Sequence, residues 1–289
     1  MKIQTLSLVV DAPCNAACPF CVSRMTGDAP KRDAVDVKAA RRNLDKAIMA
    51  AKIGGATTAL ITSKGEPTLN PEQVSWYIGK VQPHFPFVEL QTNGLVFMKH
   101  GDDQDCEIAS LRKWQMCGLT TLAISVVSYK EHVNRDIFGS LLFRHDIPLV
   151  IKRARGTGLM VRLTCTMFKG GVETFDDVMA LVKYCTEHKV EQLSLGPVTM
   201  PDVPEDNSAA KWVREHELDN DDVFDDLDSA GQKLMTLPHG AAIYDIDGVS
   251  VCIRECLSLR EESDEVRQLI FYPNGRLTYD WQYKGAVLL

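Results

Sequence analysis

The 289-residue sequence has no apolar run approaching the ~18–20 residues that a membrane-spanning helix needs, so no membrane role is expected. No small-residue cleavage site follows the short apolar stretch at its start, and Ile3–Val10 is expected to be a first strand, not an export signal. A basic stripe is also missing. Lys and Arg number 32 against 39 Asp and Glu, a net charge of −7, which argues against a nucleic-acid partner. There is no internal repeat and no low-complexity segment. What remains is an ordinary globular composition, 45% hydrophobic and 25% charged, with a reducing cytoplasm as the expected compartment.

Charge and cysteine are unevenly used. Eleven acidic residues between Asp202 and Asp228 face only Lys211 and Arg214, and this segment is expected to be a solvated, partly mobile surface excursion. Nine cysteines are many for an intracellular chain, and the odd count without an export signal does not resemble a disulfide framework. Such cysteines serve as metal ligands, catalytic groups or small core hydrophobes.

Strand and helix patterns alternate along the first 200 residues. Strands are expected at Ile3–Val10, Thr57–Ser63, Phe87–Asn93, Thr120–Ser128, Leu159–Met167 and Val190–Val198. Helices are expected at Val37–Ile53, from Asn70-Pro71 to about Val81, after Asn93-Gly94 to about Cys117, at Leu149–Thr157, and at Phe175–His188. The pattern implies parallel βα units, in either an open doubly wound sheet or a partial barrel. Beyond Pro201 it changes to a helix at about Asp221–Leu237 and two hairpins centred on Asp247-Gly248 and Asn274-Gly275. Residues 1–200 are thus expected to form a core, and residues 201–289 an extension that closes it and borders the substrate site.

The chemistry concentrates in Cys14-Asn-Ala-Ala-Cys18-Pro-Phe-Cys21, three thiols in one loop directly after the first strand. Three thiolates can hold a cubane iron–sulfur cluster, which normally has four protein ligands, and leave one iron open. A zinc site is the other reading, but zinc modules complete four ligands with a second knuckle or histidines, and no second knuckle follows.

This C-x3-C-x2-C spacing, with Phe20 before the third cysteine, resembles the radical S-adenosylmethionine (SAM) superfamily. The resemblance implies a partial (β/α)6 TIM-like barrel and one 4Fe–4S cluster on Cys14, Cys18 and Cys21. It also implies SAM chelated at the open iron and reductive cleavage to a 5′-deoxyadenosyl radical that abstracts a substrate hydrogen. An electron donor such as flavodoxin or ferredoxin is implied as partner. Carried over residue by residue, Phe20 lies against adenine. Ser63-Lys64-Gly65-Glu66-Pro67 is similar to the Gly-Gly-Glu-Pro segment that binds the SAM amino group, with Lys64 departing from the first glycine. Thr92-Asn93-Gly94 and Ser125 match polar strand ends near SAM, although Val127 stands where an Asp is expected, and Gly196-Pro197 matches backbone that touches adenine. The resemblance covers about residues 3–200. Lys64 could offer its charge to the SAM carboxylate or to substrate, or extend to solvent.

Polar alternation within the strands bears on the substrate. Glu89, Gln91 and Asn93 share one face of the third strand; Arg162, Thr164 and Thr166 share one face of the fifth. Strands buried on both faces usually read as continuous apolar runs, so polar groups facing inward suggest a wet lumen or a polar ligand. Arg162 either binds an anionic group, SAM included, or pairs with Glu89 across the barrel. Tyr272 and Trp281 either cover the open side by packing or border the substrate. Cys252 and Cys256 are too few for an auxiliary cluster and are expected to be a redox pair or packed thiols. A small polar molecule is the expected substrate. The alternatives are a peptide or protein (a ribosomal precursor or a glycyl-radical partner) and a non-catalytic iron–sulfur or zinc module.

Overall fold

A computed structural model describes residues 2–27, 37–98, 104–139, 145–218, 221–237, 240–253, 265–281 and 289. Six βα units build the core. Strands β1 (Lys2–Val10), β2 (Thr58–Ser63), β3 (Phe87–Thr92), β4 (Thr121–Val126), β5 (Met160–Met167) and β6 (Gln192–Pro197) are parallel and neighbour one another in chain order. They alternate with helices α1 (Val22–Met25), α2 (Val37–Ile53), α3 (Pro71–Val81), α4 (Gln104–Met116), α5 (Glu131–Phe138), α6 (Ile147–Gly156) and α7 (Phe175–His188). Local chemistry sets several helix ends. Asn70 caps α3 by accepting from Gln73 N at 3.2 Å, with Pro71 at the first position. Thr174 and Asp177 close a capping box on α7.

The sheet curves as a partial TIM-like barrel without closing. After β6 come α8 (Asn207–His216), α9 (Asp221–Ala230) and strands β7 (Gln232–Thr236), β8 (Ala242–Ile246), β9 (Val249–Ile253), β10 (Glu265–Phe271) and β11 (Leu277–Thr278). Among the described residues the order is β11-β10-β1-β2-β3-β4-β5-β6-β9-β8-β7. β9 lies parallel to β6 and β10 parallel to β1, so the extension lengthens both edges of the core. Its strands are therefore continuous with the core sheet.

Several expectations are corrected. The helix expected to run to Leu237 stops at Ala230, and Gln232–Thr236 pairs antiparallel with β8; that pairing partner lies ten residues downstream and leaves no local mark. The acidic segment is not a loose excursion: α8 within it buries Ala209, Ala210 and Val213. The short helix α5 was not expected. Asn134 holds it in place, its side-chain oxygen accepting from Val127 N at 2.8 Å and its amide donating to Ser128 O at 2.6 Å. Asp247 and Gly248 both adopt positive φ, as a two-residue turn of type I′ requires. At the second hairpin only Gly275 is left-handed, within a longer loop from Tyr272 to Arg276.

The two faces of the sheet differ. Leu6, Leu8, Ile61, Leu90, Leu122, Leu163 and Leu193 point outward under the helices and are wholly buried. Along β5 every second residue, from Met160 through Arg162, Thr164 and Thr166, stays half-buried on the lumen face.

Candidate active site at the strand mouth

The C-terminal ends of the six strands converge on one mouth, the end at which barrel enzymes assemble their sites. The cysteine loop leaves β1 there and is tied to three neighbours. Pro13 O accepts from Glu66 N at 2.9 Å, Ala17 N donates to Phe138 O at 2.8 Å, and Asn93 Nδ2 donates to Asn15 Oδ1 at 2.8 Å. Cys21 caps the single turn of α1, its carbonyl accepting from Arg24 N at 3.1 Å.

Cys14 is exposed, Cys18 and Cys21 are half-buried, and all three are free thiols. Burial pushes the Cys18 thiol up to about 12, with the neighbouring Cys21 and Cys14 adding to it. Cys14, exposed at its surface, is also raised, by partial desolvation from the atoms around its thiol first and then by Glu66 and Cys21. Cys14 and Cys21 thus oppose ionisation of Cys18, and Cys21 opposes that of Cys14. Among the described residues no three His, Cys, Asp or Glu side chains are already drawn into metal-ligand geometry. The donor set nonetheless fits a cluster held by three thiolates: one loop, three thiols in electrostatic reach, and no disulfide.

Glu66 is the best-connected group at the mouth. Its side chain is 2% exposed, and Oε1 accepts from Thr68 N at 3.0 Å, Thr68 Oγ1 at 2.6 Å and Thr92 Oγ1 at 2.7 Å. Oε2 accepts from Asn93 N at 2.8 Å. Burial raises its carboxyl, and these donors act in the opposite direction. Glu66 is expected to receive the SAM ammonium; in the structure it also accepts from four donors of the chain and joins the ends of β2 and β3. Gly65 beside it has a steric reason to be glycine, since a Cβ there would stand 2.2 Å from Ala12 O. Pro67 and Thr92 are buried in the same knot, Asn93 is 8% exposed, and Lys64 turns toward Thr26 and Gly27.

Phe20 is half-buried against Trp212, with ring centroids 5.5 Å apart, and Phe168, at 6.0 Å. Trp212 in turn stacks on His216 at 3.8 Å with planes 7° apart. The start of α8 is fastened to α1 by Arg24 Nε donating to Asp206 Oδ2 at 2.7 Å and by Glu205 N donating to Met25 O at 2.9 Å. Trp212 and Asp206 were missed in the sequence because the acidic charge of the segment hid an inward face, and Arg24 because its partner Asp206 is distant in sequence. The buried alanines and valine at positions 209, 210 and 213 carried that signal.

Below the mouth, the lumen is lined as the strand alternation predicts. Strand register puts Ser125, Thr164, Ser194 and Cys252 in one row across β4, β5, β6 and β9. The next row toward the base holds Gln91, Ala123, Arg162, Gln192 and Ser250. Arg162 reaches over the small Ala123 to Glu89, with Nη1 2.8 Å from Oε2, and donates from Nε to Gln192 Oε1 at 2.9 Å. The internal pair is thus formed, with Glu89 buried and Arg162 about a third exposed. Gly196 is buried beside Thr166. Tyr272 is fully buried and meets Trp281 edge-on at 6.3 Å, packed with Val9 and Ile270 at the opposite edge of the sheet. Cys252 joins the lumen row, a placement not expected from sequence; Cys256 lies outside the described residues. No helix among the described residues is long and apolar enough to cross a membrane.

No protein-family model matches the chain, and no curated protein does. Solved structures do. Streptococcus suis SuiB bound to S-adenosylmethionine aligns with a TM-score of 0.59 and 16% identity, over 96% of this chain and 60% of that one. The fold is SuiB-like. SuiB bound to its precursor peptide SuiA aligns at 0.55 and 15% identity, over 98% of this chain and 60% of SuiB. The Escherichia coli coproporphyrinogen III oxidase HemN, described as a radical SAM enzyme, aligns at 0.45 and 12% identity, over 86% and 65% of the two chains. That last likeness is too distant to carry weight. This chain spans about three fifths of the length of SuiB.

Proposed function

We propose that the protein is a radical SAM enzyme. The observation that carries this reading is the free-thiol trio Cys14, Cys18 and Cys21 on the loop after β1, at the mouth of a SuiB-like partial barrel. A 4Fe–4S cluster held there would supply reductive cleavage of SAM to a 5′-deoxyadenosyl radical. Electrons would come from a donor of the flavodoxin or ferredoxin kind.

The chain's own residues have separable tasks. Glu66, Thr92 and Asn93 fix the strand ends, and through Asn15 and Pro13 they fix the cysteine loop. Phe20 would offer an aromatic wall for the adenosyl group, and Gly65, Pro67, Ser125 and Gly196 would contact SAM as the resemblance implies. The half-buried row Ser125, Thr164 and Ser194 can hydrogen-bond a polar substrate brought beneath the nucleoside. A site for radical chemistry must also hold its target close and keep water away. The placement of α8 beside the cysteine loop supports a role for residues 201–289 in bordering it.

A polar small molecule suits that row. A peptide substrate is supported by a separate observation, the unclosed eleven-stranded sheet, together with likeness to SuiB in its complex with precursor peptide SuiA. The test is anaerobic reconstitution with iron and sulfide, followed by SAM and a strong reductant. About four irons per chain and release of 5′-deoxyadenosine are expected, with neither in the Cys14/Cys18/Cys21→Ala protein. Native protein that carries zinc and takes up no iron would refute the reading. Candidate metabolites and peptides, each tested for faster 5′-deoxyadenosine release, decide between the substrate classes.

A further inference from the structure

We infer that Lys64 is a positioning residue for the cysteine loop, holding its far end while the residues beside it hold the near end. The inference rests on the proposal that Cys14, Cys18 and Cys21 hold a cluster.

The near end is secured first. Ser63 Oγ donates to Val10 O at 2.8 Å and accepts from Gly65 N at 2.9 Å. Gly65 lies flush on Ala12 and Pro13, and Glu66 N donates to Pro13 O at 2.9 Å. Residues 63, 65 and 66 thereby fix the backbone immediately before Cys14.

The far end is α1 and the two residues after it. A single turn from Val22 to Met25 cannot hold itself, because helix nucleation is unfavourable and its last carbonyls have no partner within the helix. Glu205 N takes the Met25 carbonyl, and Lys64 supplies donors to the two residues that follow the turn. Its Nζ lies 3.0 Å from Thr26 O and 3.1 Å from Thr26 Oγ1, and it also donates to Gly27 O. An ammonium has three N–H donors, and these three acceptors lie within their reach.

One tetrapeptide, Ser63–Glu66, therefore grips both ends of the loop that presents the three thiols. Fixing both ends of a loop removes most of the freedom that would let its thiols drift apart. Cys21 is the thiol nearest the far end and the one most dependent on Lys64. The same ammonium also brings a positive charge to the loop that carries the three thiols. A glycine at position 64 could do neither.

The test compares wild type, Lys64→Met, Lys64→Arg and Lys64→Gly after anaerobic reconstitution. Lys64→Met and Lys64→Gly are expected to retain about half or less of the wild-type iron and to lose it faster to a chelator. The cluster that remains in Lys64→Met should have a more negative midpoint potential, because a nearby cation has gone. Lys64→Arg should restore both loading and potential, which a purely steric role would not predict. In apoprotein, hydrogen exchange at residues 22–27 should quicken in Lys64→Met, a readout that needs no cluster. Wild-type loading, potential and exchange in Lys64→Met would overturn the inference, as would a variant whose only defect is weaker SAM binding. Wild-type protein that takes up no iron would instead refute the cluster proposal; quickened exchange at 22–27 would then still establish the grip on the loop.

Discussion

The outer and lumen faces of β5 alternate residue by residue and meet different surroundings. Val161, Leu163, Cys165 and Met167 are wholly buried beneath helices, while Arg162, Thr164 and Thr166 remain half-buried. The outer face is a sealed apolar layer whose losses register as stability. The inner face keeps polar groups within reach of solvent and of a ligand, so its changes should register as binding. One strand can serve both ends because its side chains alternate while its backbone hydrogen bonds run sideways to β4 and β6.

Leu163→Ala tests the outer face most severely. Removing a fully buried leucine side chain should cost about 3 kcal/mol or more, read by denaturant unfolding. A loss below about 1 kcal/mol would show that this layer is loosely packed.

His145 is a polar ring buried as deeply as that layer, stacked on Phe138 at 5.2 Å with no hydrogen-bond partner for either nitrogen among the described residues. Burial, with help from the charge of Arg135, pushes it down from 6.5 to about 4. The folded protein therefore binds fewer protons than the unfolded chain between these values, and stability falls as pH drops through that window. The expected loss from this group is roughly 3 kcal/mol. His145→Phe should flatten stability between pH 6.5 and 4. An unchanged pH profile would show that the ring does not stay neutral.

The pair Arg162–Glu89 lies between the two regimes. Arg162→Met should cost roughly 2 kcal/mol, because it removes the cation from a buried carboxylate, discounted for the partial exposure of the arginine. Adding Glu89→Leu should recover much of that loss. If it does not, Glu89 has a task beyond the pair. Thr164→Val, at the lumen end of the scale, should change stability by less than about 0.5 kcal/mol. It should still weaken substrate-stimulated SAM cleavage; equal activity in both proteins would remove the Ser125–Thr164–Ser194 row from the site.

Much of the core could be read in advance because its signals are local. Asn70-Pro71 carries a cap, and the runs Val37–Ile53 and Phe175–His188 carry helical periodicity, so their helices form where expected. The alternation of Arg162, Thr164 and Thr166 with apolar residues likewise forecast the lumen face. Segments whose structure depends on a distant partner could not be read. The strand at Gln232–Thr236 is exposed throughout and exists through pairing with β8. The inward face of α8 has meaning only where Phe20 and Phe168 meet Trp212.

The site divides in the same way. Residue type and spacing by themselves determined that three thiols share one loop after a strand, and that a Gly-Glu-Pro turn follows the next strand. Both are properties of contiguous chain. Only the tertiary structure decided what the charged residues there do. It gave Glu66 donors from Thr68, Thr92 and Asn93, turned Lys64 onto Thr26 and Gly27, and drew Arg162 to Glu89. A buried charge is satisfied by whichever donors or acceptors the fold brings to it, and most of those lie tens of residues away in sequence.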